Sequence, residues 1–111
     1  MALYELIAPP EGSGAAFAVR LEDDALAPYV PAGSTAYLIR SVDLHDGDVG
    51  LFRTENGMAF RQFCRDVRGS VYLFSLDRAK REEDLVFPAG AQMPTCYGKL
   101  LLEGPIPLPV D

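Results

Sequence analysis

Two cysteines, one histidine and no tryptophan occur in 111 residues. That scarcity excludes several chemistries. Cys64 and Cys96 stand 32 positions apart and form no C-x-x-C pair, and the single His45 cannot complete a zinc site with them. They read as half-buried free thiols of a reducing compartment, so a cytoplasmic location is expected. No apolar run approaches the ~20 residues of a membrane-spanning helix. The stretch from Met1 to Pro10 lacks the basic start and long apolar core of a signal peptide, and no membrane association is expected. Positive charge is in deficit as well: 10 Lys and Arg against 16 Asp and Glu leave a net charge of −6. Such a domain repels phosphate backbones, so direct contact with nucleic acid is not expected. There is no P-loop, no Rossmann fingerprint and no H-E-x-x-H, and no metal or cofactor is expected.

What is present suits one folded domain over residues 1–111, with 49% apolar and 23% charged residues. Ten glycines and nine prolines favour many turns and short elements over long helices. The expected parts are an N-terminal strand and loop (1–14), a core (15–103) and a Pro-rich tail (104–111). The tail carries Pro105, Pro107 and Pro109, so it should run extended outside any central strand.

Alternation marks the strands. Phe17, Val19 and Leu21 share one face of residues 16–22, with Ala18, Arg20 and Glu22 on the other. Strands are also expected at 3–8, 35–40, 49–53, 58–65, 71–76 and 95–103. Asn56-Gly57 is the strongest hairpin signal. In 58–65, Phe60, Gln62 and Cys64 face one way and Ala59, Arg61 and Phe63 the other. Asp24 to Ala27 suits a single helical turn ended by Pro28. The mixed-charge run Asp77 to Asp84 reads as a solvated loop or helical turn. The fold class is therefore mainly β, with six or seven short strands.

Taken alone, the residues point to no enzyme. His45 among Asp43, Asp46 and Asp48 reads as an exposed residue of a polar turn. The neighbouring carboxylates Asp23-Asp24 and Glu82-Glu83-Asp84 lack the geometry of an acid/base pair.

The order of signals says more. The segment Phe17-Ala18-Val19-Arg20-Leu21 leading into Asp23-Asp24-Ala25-Leu26, then Pro28 and Gly33, resembles the active-site segment of the LexA/type I signal peptidase superfamily. There a strand enters Gly-Asp-Ser-Met. Asp46-Gly47-Asp48-Val49 resembles that family's strand entry, and Gly57-Met58-Ala59-Phe60-Arg61-Gln62-Phe63 its lysine-bearing strand. Val71-Tyr72-Leu73-Phe74-Ser75 resembles the strand after it, and Cys96-Tyr97-Gly98-Lys99-Leu100-Leu101 the closing strand. The resemblance covers roughly residues 17–103 and implies the fold of those Ser-Lys proteases.

The departures fall on the chemistry. The resemblance places the nucleophilic serine at Ala25 and the general-base lysine at Arg61, 36 residues on. Alanine has no hydroxyl, and a guanidinium does not release its proton near neutral pH. Either loss alone should cost about six orders of magnitude in rate. Asp23 stands for the motif Gly and Leu26 for its Met, so the pattern reads as natural drift. The family's Ala-Gly or Cys-Gly scissile pair has no counterpart before residue 25.

The expected function is a non-catalytic regulatory and dimerisation domain of a transcriptional regulator, not an enzyme. It would be a homodimer, joined through the strand containing Leu100-Leu101-Leu102, and would reach DNA only through a separate domain. The residual cleft, holding a peptide or a segment of the same chain, would be lined by Asp24, Leu26, Pro28, Tyr29, Arg61 and Phe63. Arg61 is expected to pair with Asp24 or Glu22, or to swing out of the cleft. The alternatives are an active peptidase with a displaced nucleophile such as Ser34 or Thr35, and an unrelated β-rich binding module.

Overall fold

The computed structural model describes residues 5–9, 11–12, 14–21, 26, 29–30, 33–40, 43–55, 57–101, 106 and 108. Its strands are β1 (Glu5–Ile7), β2 (Phe17–Arg20), β3 (Thr35–Ile39), β4 (Val49–Thr54), β5 (Gly57–Arg65), β6 (Val71–Phe74), β7 (Leu85–Phe87) and β8 (Cys96–Leu100). They form one sheet in the order β1-β2-β3-β8-β4-β5-β6-β7, with antiparallel pairing throughout. The mainly β architecture is as expected, with one strand more than six or seven. The addition is β7, whose three residues lie between the charge cluster and Pro88. That is too short for alternation to register. The charge cluster itself contains a short 3-10 helix, Arg78–Glu83, capped by Asp77, whose side chain accepts the Ala79 N–H at 3.0 Å.

Turn chemistry fixes the local pairings. β4 and β5 form the expected hairpin, registered from Val49↔Gln62 to Thr54↔Gly57. At the β5–β6 turn the Asp66 carboxylate accepts the N–H groups of Arg68 (2.9 Å) and Ser70 (3.0 Å), and the Tyr72 hydroxyl (3.0 Å). Desolvation pushes the Asp66 carboxyl up, but these donors together outweigh it and hold it below its ordinary value. The same contact with Asp66 raises the Tyr72 hydroxyl.

The central strands are buried on both faces. Val19, Leu21, Leu26, Leu38, Val49, Leu51, Phe60 and Leu100 form a cluster on one side. Phe52, Phe63, Val71 and Leu73 form the second, joined by Leu44, Leu85, Phe87 and Cys96. Alternation along β5 assigns Phe60 to the first cluster and Phe63 to the second, as the sequence indicated.

One long-range pairing completes the sheet. β8 inserts between β3 and β4, pairing Ile39↔Lys99 on one side and Gly50↔Lys99 on the other. A side chain at Gly98 would meet the Phe17 ring at 2.7 Å and the Ile39 carbonyl at 3.1 Å, so only glycine permits this approach. The tail also docks. Ile106 is buried in the first cluster, and its carbonyl accepts Gln62 Nε2 at 2.8 Å.

Candidate functional site

The segment between β2 and β3 carries the position that the resemblance assigns to the nucleophile. Its ends are tied by the Leu21 N–H to Ser34 carbonyl bond (2.9 Å) and the Gly33 N–H to Leu21 carbonyl bond (2.8 Å). Ala25, Asp24, Glu22 and Pro28 lie outside the described residues. So do all of the expected helical turn at 24–27 but Leu26, the side-by-side placing of positions 25 and 61 that a Ser-Lys pair would require, and the expected Arg61 pairing with Asp24 or Glu22. Leu26 is described and fully buried in the first cluster, where Phe60 also sits. Its carbonyl accepts the N–H groups of Tyr29 and Val30, each at 2.9 Å. Tyr29 is exposed.

Arg61 stands on β5 opposite Gly50 and leaves the strand on the face that Phe63 takes. Phe60 and Leu26 belong to the other face. The expected cleft residues therefore divide: Leu26 packs in one core cluster, Phe63 in the other, and Arg61 lines a separate groove of about 810 Å³. One wall of the groove is the end of the β4–β5 hairpin, with Arg53, Thr54, Glu55 and Arg61. The other is Glu82 and Glu83 of the 3-10 helix together with β7. The Arg61 Nη1 donates to the Phe60 carbonyl at 2.8 Å, which pins the guanidinium against its own strand. Its Nε is shut from solvent and has no acceptor. Sequence reasoning singled out Arg61 but not its surroundings. The only signal for them was Arg53 two turns of alternation from the hairpin tip, and a carboxylate run that looked like a solvated face.

The other candidates have structural roles. His45 is exposed, and its N–H donates to Asp48 Oδ2 at 2.8 Å. The same carboxylate lies 3.3 Å from Lys99 Nζ, so Asp48 anchors a turn to β8. Asp46 Oδ1 accepts the Arg65 N–H at 2.9 Å, and Gly47, at φ +96°, donates its N–H to the Phe63 carbonyl. These bonds dock the acidic turn onto β5. Ser34 and Thr35, the displaced-nucleophile candidates, lie at and just before β3. Three inter-strand steps separate β3 from β5, about 14 Å along the sheet. Cys64 and Cys96 are free thiols. Burial raises both, and in Cys64 the carboxylates of Asp46 and Asp66 add to it. Cys96 sits against a small cavity of about 170 Å³ that also touches Phe52, Phe63 and Met93. Among the described residues no group of His, Cys, Asp and Glu could hold a metal ion, and no helix is long and apolar enough to cross a membrane.

The family model of peptidase S24-like proteins matches residues 3–99. The chain belongs to the peptidase S24-like family. The match runs through β1 to β8 and includes both positions, 25 and 61, on which the family's chemistry turns in the sequence reading. The same comparisons found no matching curated protein and no matching solved structure. As an S24-like domain, the chain carries alanine and arginine where the resemblance places serine and lysine, and its Arg61 lies in a groove shared with β7.

Proposed function

We propose that this S24-like domain is a non-catalytic regulatory and dimerisation module of a transcriptional regulator in the cytoplasm, with DNA contacted through a separate domain. The observation that carries the reading is the pair Ala25 and Arg61. A serine attacks only through its hydroxyl, and a lysine serves as base only when burial makes it neutral. Alanine and arginine supply neither function. The geometry around Arg61 agrees, because its guanidinium is engaged with its own backbone and cannot take a proton. The acidic surface suits a unit that leaves DNA contact to another part of the protein. Leu101, exposed just beyond β8 and next to buried Leu100, offers an apolar side chain for a partner copy.

Incubating the purified protein at mildly alkaline pH and following its intact mass tests the catalytic part. The mass should stay constant. Fragments that accumulate in proportion to intact protein, insensitive to added protease inhibitors, would overturn the reading. Sedimentation at tens of micromolar tests the dimer, and a monomer mass would remove it.

A further inference from the structure

The groove at Arg61 has unlike charges on its walls that do not pair with each other. Arg53, Arg61 and the exposed Glu55 line one side, and Glu82 and Glu83 the other. Among the described residues the Arg61 guanidinium makes one hydrogen bond, to the Phe60 carbonyl, and its Nε has no acceptor. The charges are unequal in environment. Glu55, Glu82 and Glu83 are exposed and already solvated, whereas Arg61 is half-buried. A partly desolvated cation without a counter-charge is costly, and a carboxylate supplied from outside relieves it. The half-buried Arg61 is therefore the point on the wall that an anionic ligand group would satisfy.

The groove also borders a strand edge. β7 ends the sheet, and among the described residues no strand lies beyond it. Alternate residues of an edge strand turn their N–H and C=O groups away from the sheet, where an added strand can pair with them. Val86, in the middle of β7, is 58% exposed. Three residues of edge extend about 10 Å, enough to pair with a short extended segment.

We propose that the groove binds an extended peptide bearing an acidic side chain. The peptide backbone adds to the free edge of β7, and its carboxylate meets Arg61 and Arg53. Glu82 and Glu83 on the opposite wall disfavour a second acidic residue and favour a basic one, so the preferred segment has mixed charge. The proposal rests on the non-catalytic reading, in which Arg61 binds and does not react.

The probe is a fluorescein-labelled heptapeptide alternating valine with one glutamate and two lysines, titrated with the full chain at low salt and followed by anisotropy. Backbone amide shifts map the contact. Saturable binding is expected, with shifts concentrated on Leu85 to Phe87. Arg61→Gln, or glutamine for the peptide's glutamate, should each weaken binding about tenfold or more, the range of a charge-assisted bond. Arg53→Gln, an exposed change that leaves the core untouched, should weaken it about threefold and keeps the test decisive should Arg61→Gln not fold. No binding up to millimolar peptide would overturn the proposal. So would affinity unchanged by these substitutions, shifts on another surface, or glutarate alone binding as well as the peptide. Peptide recovered cleaved would overturn the non-catalytic reading, whereas peptide recovered intact and unbound would overturn only the groove.

Discussion

Arg78 and Arg61 occupy two neighbouring parts of the molecule under opposite conditions. Arg78 donates from Nη1 and Nη2 to the two carboxylate oxygens of Asp84, each at 3.0 Å, and from Nη1 to the Ser75 carbonyl. Its guanidinium lies over the Phe74 ring, 5.6 Å from the centroid. Asp84 in turn accepts the Ser75 N–H at 2.7 Å, which closes the loop around the 3-10 helix. Arg61 has one bond to its own strand and no carboxylate within reach among the described residues. Where the fold provides the counter-charge, the arginine is part of the scaffold. Where no described carboxylate stands within reach, as at Arg61, the guanidinium turns to its own backbone.

Four measurements break or sharpen that contrast. The largest effect belongs to the residue beneath Arg61. Phe60→Ala empties a fully buried site and should destabilise the domain by about 3–5 kcal/mol in urea unfolding. A loss under ~1 kcal/mol would mean that Phe60 does not anchor the first cluster as its full burial indicates. Next, Asp84→Ala removes the fork under Arg78 and the acceptor of the Ser75 N–H. Since both side chains keep some exposure, the expected cost is about 1–3 kcal/mol, read by the same method. Stability equal to that of the parent would erase the difference between the two arginines.

Smaller again, Arg61→Gln should change stability by no more than about 0.5 kcal/mol, because no ion pair among the described residues is lost. A cost as large as that of Asp84→Ala would make Arg61 a scaffold residue after all. The smallest effect is a titration. The Asp66 carboxyl is held down in the folded state, so its contribution to stability is present above the unfolded value of about 3.9 and is lost as pH falls through the folded value. Tyr72→Phe removes one of its donors. The Asp66 carboxyl, followed by NMR, should then titrate closer to its ordinary value, and the acid-side loss of stability should shrink. An unmoved titration would show that the backbone donors alone hold it.

Much of the scaffold was legible because strand periodicity and turn chemistry are local. Phe60 and Arg61 were assigned to opposite faces from alternation alone, and Asn56-Gly57 marked the hairpin that joins their strand to β4. The family was legible from short motifs in order, and the model match over residues 3–99 agrees with it. β7 was not legible, since three residues show no period. The carboxylates of the 3-10 helix looked like a solvated face because nothing local reveals what stands opposite them. Ala25 and residues 22–24 before it lie outside the described residues.

The sequence by itself determined the short-strand β fold, the sidedness of β2 and β5, and the absence of a hydroxyl and of a titratable amine at the two positions that the resemblance assigns to catalysis. Side-chain type is a property of the chain, and period-two alternation holds wherever a strand runs without a bulge. Tertiary structure decided the rest. It inserted β8 between β3 and β4 through the space that Gly98 leaves, and the register shift at Leu51/Phe52 set Cys96 against the second cluster. It also gave Arg78 a carboxylate, while among the described residues Arg61 meets its own backbone. Each of these depends on which segments meet across the sheet, and an arginine's role is set by the charge that arrives beside it.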